Sequence, residues 1–212
     1  MEAAPVKLST AYWAPIQYYA KLVSTPAVLL EQHEHYVKQT YRNRCRIAGA
    51  NGVQQLTVPV VKRHGGKIPI REVRIDYTEG WQRQHWRAIE TAYRSSPFFA
   101  YYADDIRPFY EKKETFLFDL NEKILRSACE LTGITTAIGY TAQFCPPAGH
   151  PADCRYSITP KISFALDESF LPQTYYQVFA RLHSFLPNLS ILDLLCNEGT
   201  NSLEKLRGKG DG

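Results

Sequence analysis

No CxxC pair occurs in this 212-residue chain, whose five cysteines (Cys45, Cys129, Cys145, Cys154 and Cys196) are irregularly spaced. That spacing argues against a zinc knuckle and against a disulfide framework. No apolar run approaches the ~20 residues of a membrane span. The opening MEAAPVKLSTAYWAP has neither a basic nor an apolar leader region, so a cytoplasmic protein is expected. GxSxG, HExxH, GxGxxG and DxD are all missing, which removes the common nucleophile, zinc and dinucleotide motifs. Net charge is only +4, too small to imply nucleic acid by itself.

What is present is a soluble-type balance of 44% apolar and 22% charged residues, long enough to bury a core. Aromatics reach 13%, from 14 Tyr and 10 Phe above all, and such rings serve either core or contact surface. The expected organisation is one α/β domain over residues 1–204, with 205–212 as a flexible tail; α+β is the alternative fold class. PVKLST (5–10), PIQYYAKLV (15–23) and AVLLEQ (27–32) read as strand, helix and strand, a βαβ unit with a parallel pair. Residues 33–47, a turn at Asn51-Gly52, and strands over 54–62 and 70–76 make a three-strand meander in a mixed sheet. RHGGK (63–67) reads as a hairpin loop rather than a phosphate cradle.

Flanking helices follow. Trp81, His85, Ala88, Ile89, Ala92 and Tyr93 recur at helical spacing from about Thr78. A second stripe runs over 111–132 to Gly133, and ITTAIGYTAQF (134–144) reads as extended. Residues 145–161 carry four prolines and form the one long irregular stretch, a length that is commonly functional. Helices are then expected over 174–185 and after Ser190, the latter stopped by Gly199.

The densest chemistry lies in HEHYVKQTYRNRCRI (33–47). In strand geometry Thr40, Arg42, Arg44 and Arg46 share one face, opposite Tyr41, Asn43, Cys45 and Ile47. Guanidiniums ~7 Å apart along a strand repel unless anions answer them. The answer is either a bound phosphate or carboxylate, gripped bidentately, or local acids such as Glu31, Glu34 or Glu72. His33 and His35 point the same way; with no third ligand fixed by spacing, they fit the rim of an anion pocket better than a metal site. His85 is either a satisfied core histidine or a pocket base with a burial-tuned pKa. Cys145, His150, Asp153 and Cys154 have no structural-zinc spacing, and Asp104-Asp105 make a poor Mg²⁺ pair in an extended segment. No metal or cofactor is expected.

The segments HEHYVKQTYRNRCRI, LTVPV, WQRQHWRAIETAY and YYQVF…FLPNLSILDLLCNEG resemble those of the WbqC-like proteins, over about residues 7 to 203. YRNR and PNLSILDLL.NEG are the specific parts, and Cys196 stands where an aromatic is expected. The matching positions are Tyr12, Pro15, Tyr41, Arg42, Asn43, Arg44, Trp81, His85, Asn188, Ser190, Asp193 and Asn197. The resemblance implies a bacterial protein of surface-polysaccharide (O-antigen) assembly, with glycyl or other aminoacyl transfer onto a sugar as the suggested chemistry. It implies a small-molecule substrate, a phosphate-bearing or nucleotide-activated sugar, and polysaccharide-pathway enzymes as partners. Arg42, Asn43, Arg44 and Arg46 would then meet the phosphates, and Tyr12, Trp13, Tyr41 and Trp81 the base or sugar. Helix amides after STAYWAP would face a phosphate, and His85 or His35 would deprotonate an amine acceptor. A transferase is therefore the favoured expectation. Nucleic-acid or tRNA binding, and a non-catalytic partner role in the same pathway, are the alternatives.

Overall fold

The computed structural model describes residues 5–62, 66–147 and 149–208. In chain order these form β1 (Val6–Ser9), α1 (Ile16–Val23), β2 (Ala27–Glu31), β3 (Arg44–Gly49) and β4 (Gly52–Thr57). Then come α2 (Trp81–Tyr93), α3 (Phe99–Ile106), α4 (Pro108–Glu111), α5 (Leu117–Thr132) and β5 (Ala137–Tyr140). The chain closes with α6 (Ala180–His183), α7 (Ile191–Glu198) and α8 (Ser202–Arg207).

Helices and strands of both directions occur, consistent with an α/β or α+β fold. β1, β2 and β5 form a parallel sheet in the order β1-β2-β5, with Val6 opposite Val28 and Ala27 opposite Ala137. β3 and β4 pair antiparallel from Arg44↔Thr57 to Gly49↔Gly52. Gly52 at φ +99° closes this hairpin in a region that side chains disfavour. The expected βαβ unit is present: Pro15 is extended, and α1 buries Ile16, Tyr19 and Leu22 between the strands. One hydrophobic cluster joins sheet, hairpin and helices, and α2 and α7 pack on β3.

Several elements depart from expectation, each for a tertiary reason. The strand expected over 33–47 begins only at Arg44, because Glu34 and Arg42 turn inward to pair with each other. The expected strand over 70–76 is a 3-10 turn (Ile70–Glu72) followed by isolated bridges, Val60↔Ile75 and Arg74↔Phe116. Those bridges also hold 112–116 extended, so the helix expected from 111 splits into α4 and α5. The helix expected from Thr78 starts at Trp81: Asp76 caps Thr78, accepting its N–H at 2.9 Å, and Gly80 is left-handed. The helix expected over 174–185 shrinks to α6. There Gln177 reaches back to Leu186, donating Nε2–H to its carbonyl at 2.9 Å and accepting its N–H at 2.8 Å. Asp104 and Asp105 lie in α3 rather than an extended segment. The tail expected from 205 includes the end of α8, where Leu206 is buried. Arg63, His64 and Gly65 of the expected RHGGK loop lie outside the described residues.

α7 starts as the sequence reads it: Ser190 Oγ accepts the Leu192 N–H at 3.3 Å. The same hydroxyl donates to the Trp13 carbonyl at 2.8 Å, tying α7 to the loop before α1. Trp13 there adopts φ +40°, which a bulky residue holds only when its surroundings enforce it. Ser190→Ala should therefore destabilise the fold by about 1–2 kcal/mol. The measurement is the urea midpoint, with the transition slope unchanged.

Candidate functional site

Ligands of open parallel sheets bind beyond the carboxyl ends of the strands. Here those ends are Ser9, Glu31 and Tyr140, and the chain beyond them builds two buried ion clusters. Glu31 is fully buried and accepts Arg155 Nη1 at 2.7 Å, Thr141 Oγ1 at 2.8 Å and the His33 N–H at 2.7 Å. Arg155 also clasps Asp153, donating Nε–H to Oδ1 at 2.7 Å and Nη2–H to Oδ2 at 2.5 Å. That guanidinium holds the Asp153 carboxyl below the usual carboxylate range. Glu34, equally buried, is gripped by Arg42 through Nε at 2.8 Å and through Nη2. Ser9 Oγ accepts Arg42 Nη2 at 2.7 Å and has the Arg155 carbonyl at 3.0 Å as acceptor, linking the two clusters.

Both guanidiniums face the ring of Tyr156, at 5.6 Å for Arg42 and 5.9 Å for Arg155, and Arg155 also faces Phe144 at 5.8 Å. Phe144 and Tyr156 in turn line a cavity of about 820 Å³. Its basic members are Lys38, Lys62 and Lys67, joined by His35, brought in by the segments after β2 and β4. All four are exposed. No acidic side chain is among the described residues lining it. Hence the ion clusters position a cationic, aromatic-walled cavity without themselves meeting a ligand. Burial raises the Tyr156 phenol above its ordinary range, helped by nearby Glu34, so it presents a neutral O–H.

Of the residues singled out from sequence, His35 alone lies in this cavity. Arg42 is buried and answered by Glu34. Asn43 donates Nδ2–H to the Val58 carbonyl at 2.8 Å, and Tyr41 accepts the Tyr12 N–H through its carbonyl at 2.9 Å. Arg46 donates to the Pro160 carbonyl at 3.1 Å. Arg44 stands in β3 near Tyr36, whose phenol it holds down against the upward pull of burial. Tyr12, Trp13, Trp81 and His85 are core. The α1 amides expected to face a phosphate are taken, Ile16 N–H by the Leu189 carbonyl at 2.9 Å and Gln17 N–H by Asn188 Oδ1 at 2.9 Å.

His85 is the core histidine of the two readings: Tyr12 Oη lies 2.9 Å from its Nδ1, and Tyr110 Oη 3.0 Å from Tyr12 Oη. Trp81 packs edge-on at 5.0 Å. Burial depresses its pKa to about 4, so it is a neutral imidazole. Among the described residues no group of three or more His, Cys, Asp or Glu is placed to hold a metal ion. None of their helices is long and apolar enough to cross a membrane.

Lys38, Lys62, Phe144, Tyr156 and Arg155 were not singled out from sequence. A signal existed for three of them: Arg155 and Tyr156 lie within the Pro-rich stretch 145–161, whose length marks it as functional, and Phe144 adjoins it. Lys38 belongs to the basic stretch 33–47, whereas Lys62 carries no such signal.

No solved structure matches the chain. A protein of Mycobacterium tuberculosis (strain ATCC 25618 / H37Rv), the uncharacterized protein Rv1507c, is 30% identical over 212 residues, covering 90% of this chain and 91% of that protein. The model of the WbqC-like protein family matches residues 11–163, a span that takes in both ion clusters and every described residue of the cavity wall. On that match, the chain belongs to the WbqC-like protein family.

Proposed function

We propose that the cavity beyond the parallel sheet binds the phosphate of an activated sugar, and that the chain is a group transferase of bacterial surface-polysaccharide assembly. The observation carrying the binding half is the cavity itself: three lysines and a histidine with no acid among its described lining residues. Such a wall favours an anion, and the clustered lysines act as point charges on phosphate oxygens. The transfer half rests on the resemblance of the chain to a family associated with aminoacyl transfer onto sugars. In that reaction His35 is the candidate base, since it is the histidine in the cavity wall, while His85 is enclosed by Tyr12, Tyr110 and Trp81.

Isothermal titration of the full chain with glucose 1-phosphate and a panel of nucleotide sugars tests the reading. At least one should bind at millimolar concentration or better. Lys38→Ala combined with Lys62→Ala should weaken it about tenfold or more, a change of about 1.4 kcal/mol. Silence of the whole panel, or unchanged affinity in the double variant, would sink the proposal.

A further inference from the structure

The walls of the cavity constrain the ligand more tightly than its rim. Sugar hydroxyls, which both donate and accept, are held chiefly by carboxylates as acceptors and by amides and hydroxyls as donors and acceptors. Among the described residues lining this cavity there is no Asp, Glu, Asn, Gln, Ser or Thr. Aliphatic side chains stand in their place: Val37, Val60, Val61, Ile68 and Val73. Val37 and Val61 are 36% and 44% exposed, so this wall is open to a ligand. A sugar lying along that aliphatic stretch would lose water contacts and find few hydrogen-bond partners beyond Tyr36, Tyr156, His35 and the lysines, whereas an alkyl chain would gain from every methylene buried.

We infer that the phosphate held by this cavity is esterified to an aliphatic chain, so that the ligand class is an anionic amphiphile, a lipid-like phosphate. The chain lies along the valine and isoleucine wall, and the headgroup meets Lys38, Lys62 and Lys67 at the mouth. Charge complementarity and wall chemistry select one molecule together: cations alone suit any phosphate, and aliphatic walls alone suit any hydrocarbon. The inference rests on the reading that the cavity binds phosphate, and it adds what that phosphate is attached to. Any sugar on the same phosphate then projects out of the cavity, toward solvent.

The test compares octyl phosphate, glucose 1-phosphate and inorganic phosphate by isothermal titration, all below the micellar concentration of the octyl ester. Octyl phosphate should bind at least a hundredfold tighter than glucose 1-phosphate. Val37→Ser and Val61→Ser, both at partly exposed positions the fold tolerates, should together weaken octyl phosphate about tenfold and leave inorganic phosphate unchanged. Lys62→Gln should weaken all three. Sedimentation with phosphatidylcholine vesicles containing phosphatidic acid, lost in Lys62→Gln, would place the lipid in a bilayer; octyl phosphate binding without sedimentation would place it in solution, and either supports the class. Equal or tighter binding of glucose 1-phosphate, or serine variants with wild-type affinity for octyl phosphate, overturns it while the phosphate reading stands. If no phosphate compound binds, both fall.

Discussion

Arg155→Ala is expected to destabilise the fold by about 3–5 kcal/mol, the cost of leaving buried charges unpaired. The side chain of Arg155 is wholly inaccessible to solvent, as is that of Glu31, and Asp153 is 9% exposed. Removing the guanidinium strands the Glu31 carboxylate where water cannot reach it and leaves the largely covered Asp153 without its partner. Arg155→Lys keeps the charge yet cannot span Glu31 and both Asp153 oxygens, so it should recover only part of the loss. The surface pair Arg126–Glu122 gives the contrast: Arg126 is 55% exposed, and Arg126→Ala should cost no more than about 1 kcal/mol. Urea denaturation of the three variants decides it. An Arg155→Ala midpoint as close to wild type as that of Arg126→Ala would show that Arg155 is not holding the sheet end together.

Acid should bend the stability profile in opposite directions in two other variants. His85 titrates near pH 4 in the fold against 6.5 when free, because burial disfavours imidazolium. The unfolded chain therefore takes up its proton first, and stability is lost as pH falls from 6.5 toward 4. Asp193 is the reverse case. It is buried at the start of α7, and desolvation raises it to about 6 from 3.8, although Tyr175 and Gln177 donate to its Oδ2 at 2.6 and 2.8 Å. The folded state takes up that proton first, so stability is gained as pH falls from 6 toward 3.8. At 1.36 kcal/mol per pKa unit each group contributes about 3 kcal/mol across its window, with opposite signs. The two largely cancel in the wild-type chain. His85→Gln should thus grow relatively more stable than wild type on acidification, and Asp193→Asn relatively less. Urea midpoints between pH 4.5 and 7 measure both; three parallel profiles would refute the assignment.

The parallel pair, α1, α2, α5 and α7 were legible because each declares itself over consecutive residues. Trp81, His85 and Ile89 recur at helical spacing, and Ser190 and Gly199 mark the ends of α7. Local acids were one of the two answers the sequence offered for the arginine row, and Glu34, eight residues earlier, is the partner of Arg42. What was not legible came from partners far away in sequence. The resemblance implied Tyr12 as a contact for base or sugar and left His85 either core or a pocket base, and the two meet across 73 residues to fill the core. The family-like motifs mislead in the same way. Within YRNR, Asn43 secures Val58, and in PNLSILDLL.NEG Asn188 and Ser190 bond to α1 and to the loop before it. These residues build the frame, while the cavity joins His35, Tyr36, Val37 and Lys38 of one short stretch to valines, lysines and the rings of Phe144 and Tyr156 from segments far apart in sequence.

The bond from Ser9 to the Arg155 carbonyl spans 146 residues, and the Arg155–Glu31 pair spans 124. The segment 152–154 also lies against β1, the Lys7 N–H donating to the Ala152 carbonyl at 2.8 Å and the Cys154 N–H to the Lys7 carbonyl at 2.9 Å. During synthesis, therefore, β1 and β2 leave the ribosome long before anything can neutralise Glu31 or cover the outer edge of β1. Such non-local closure slows folding and leaves an open strand edge in the nascent chain. The sheet end that frames the cavity cannot close before residues 152–156 emerge, so the site is assembled only once about three-quarters of the polypeptide has been made.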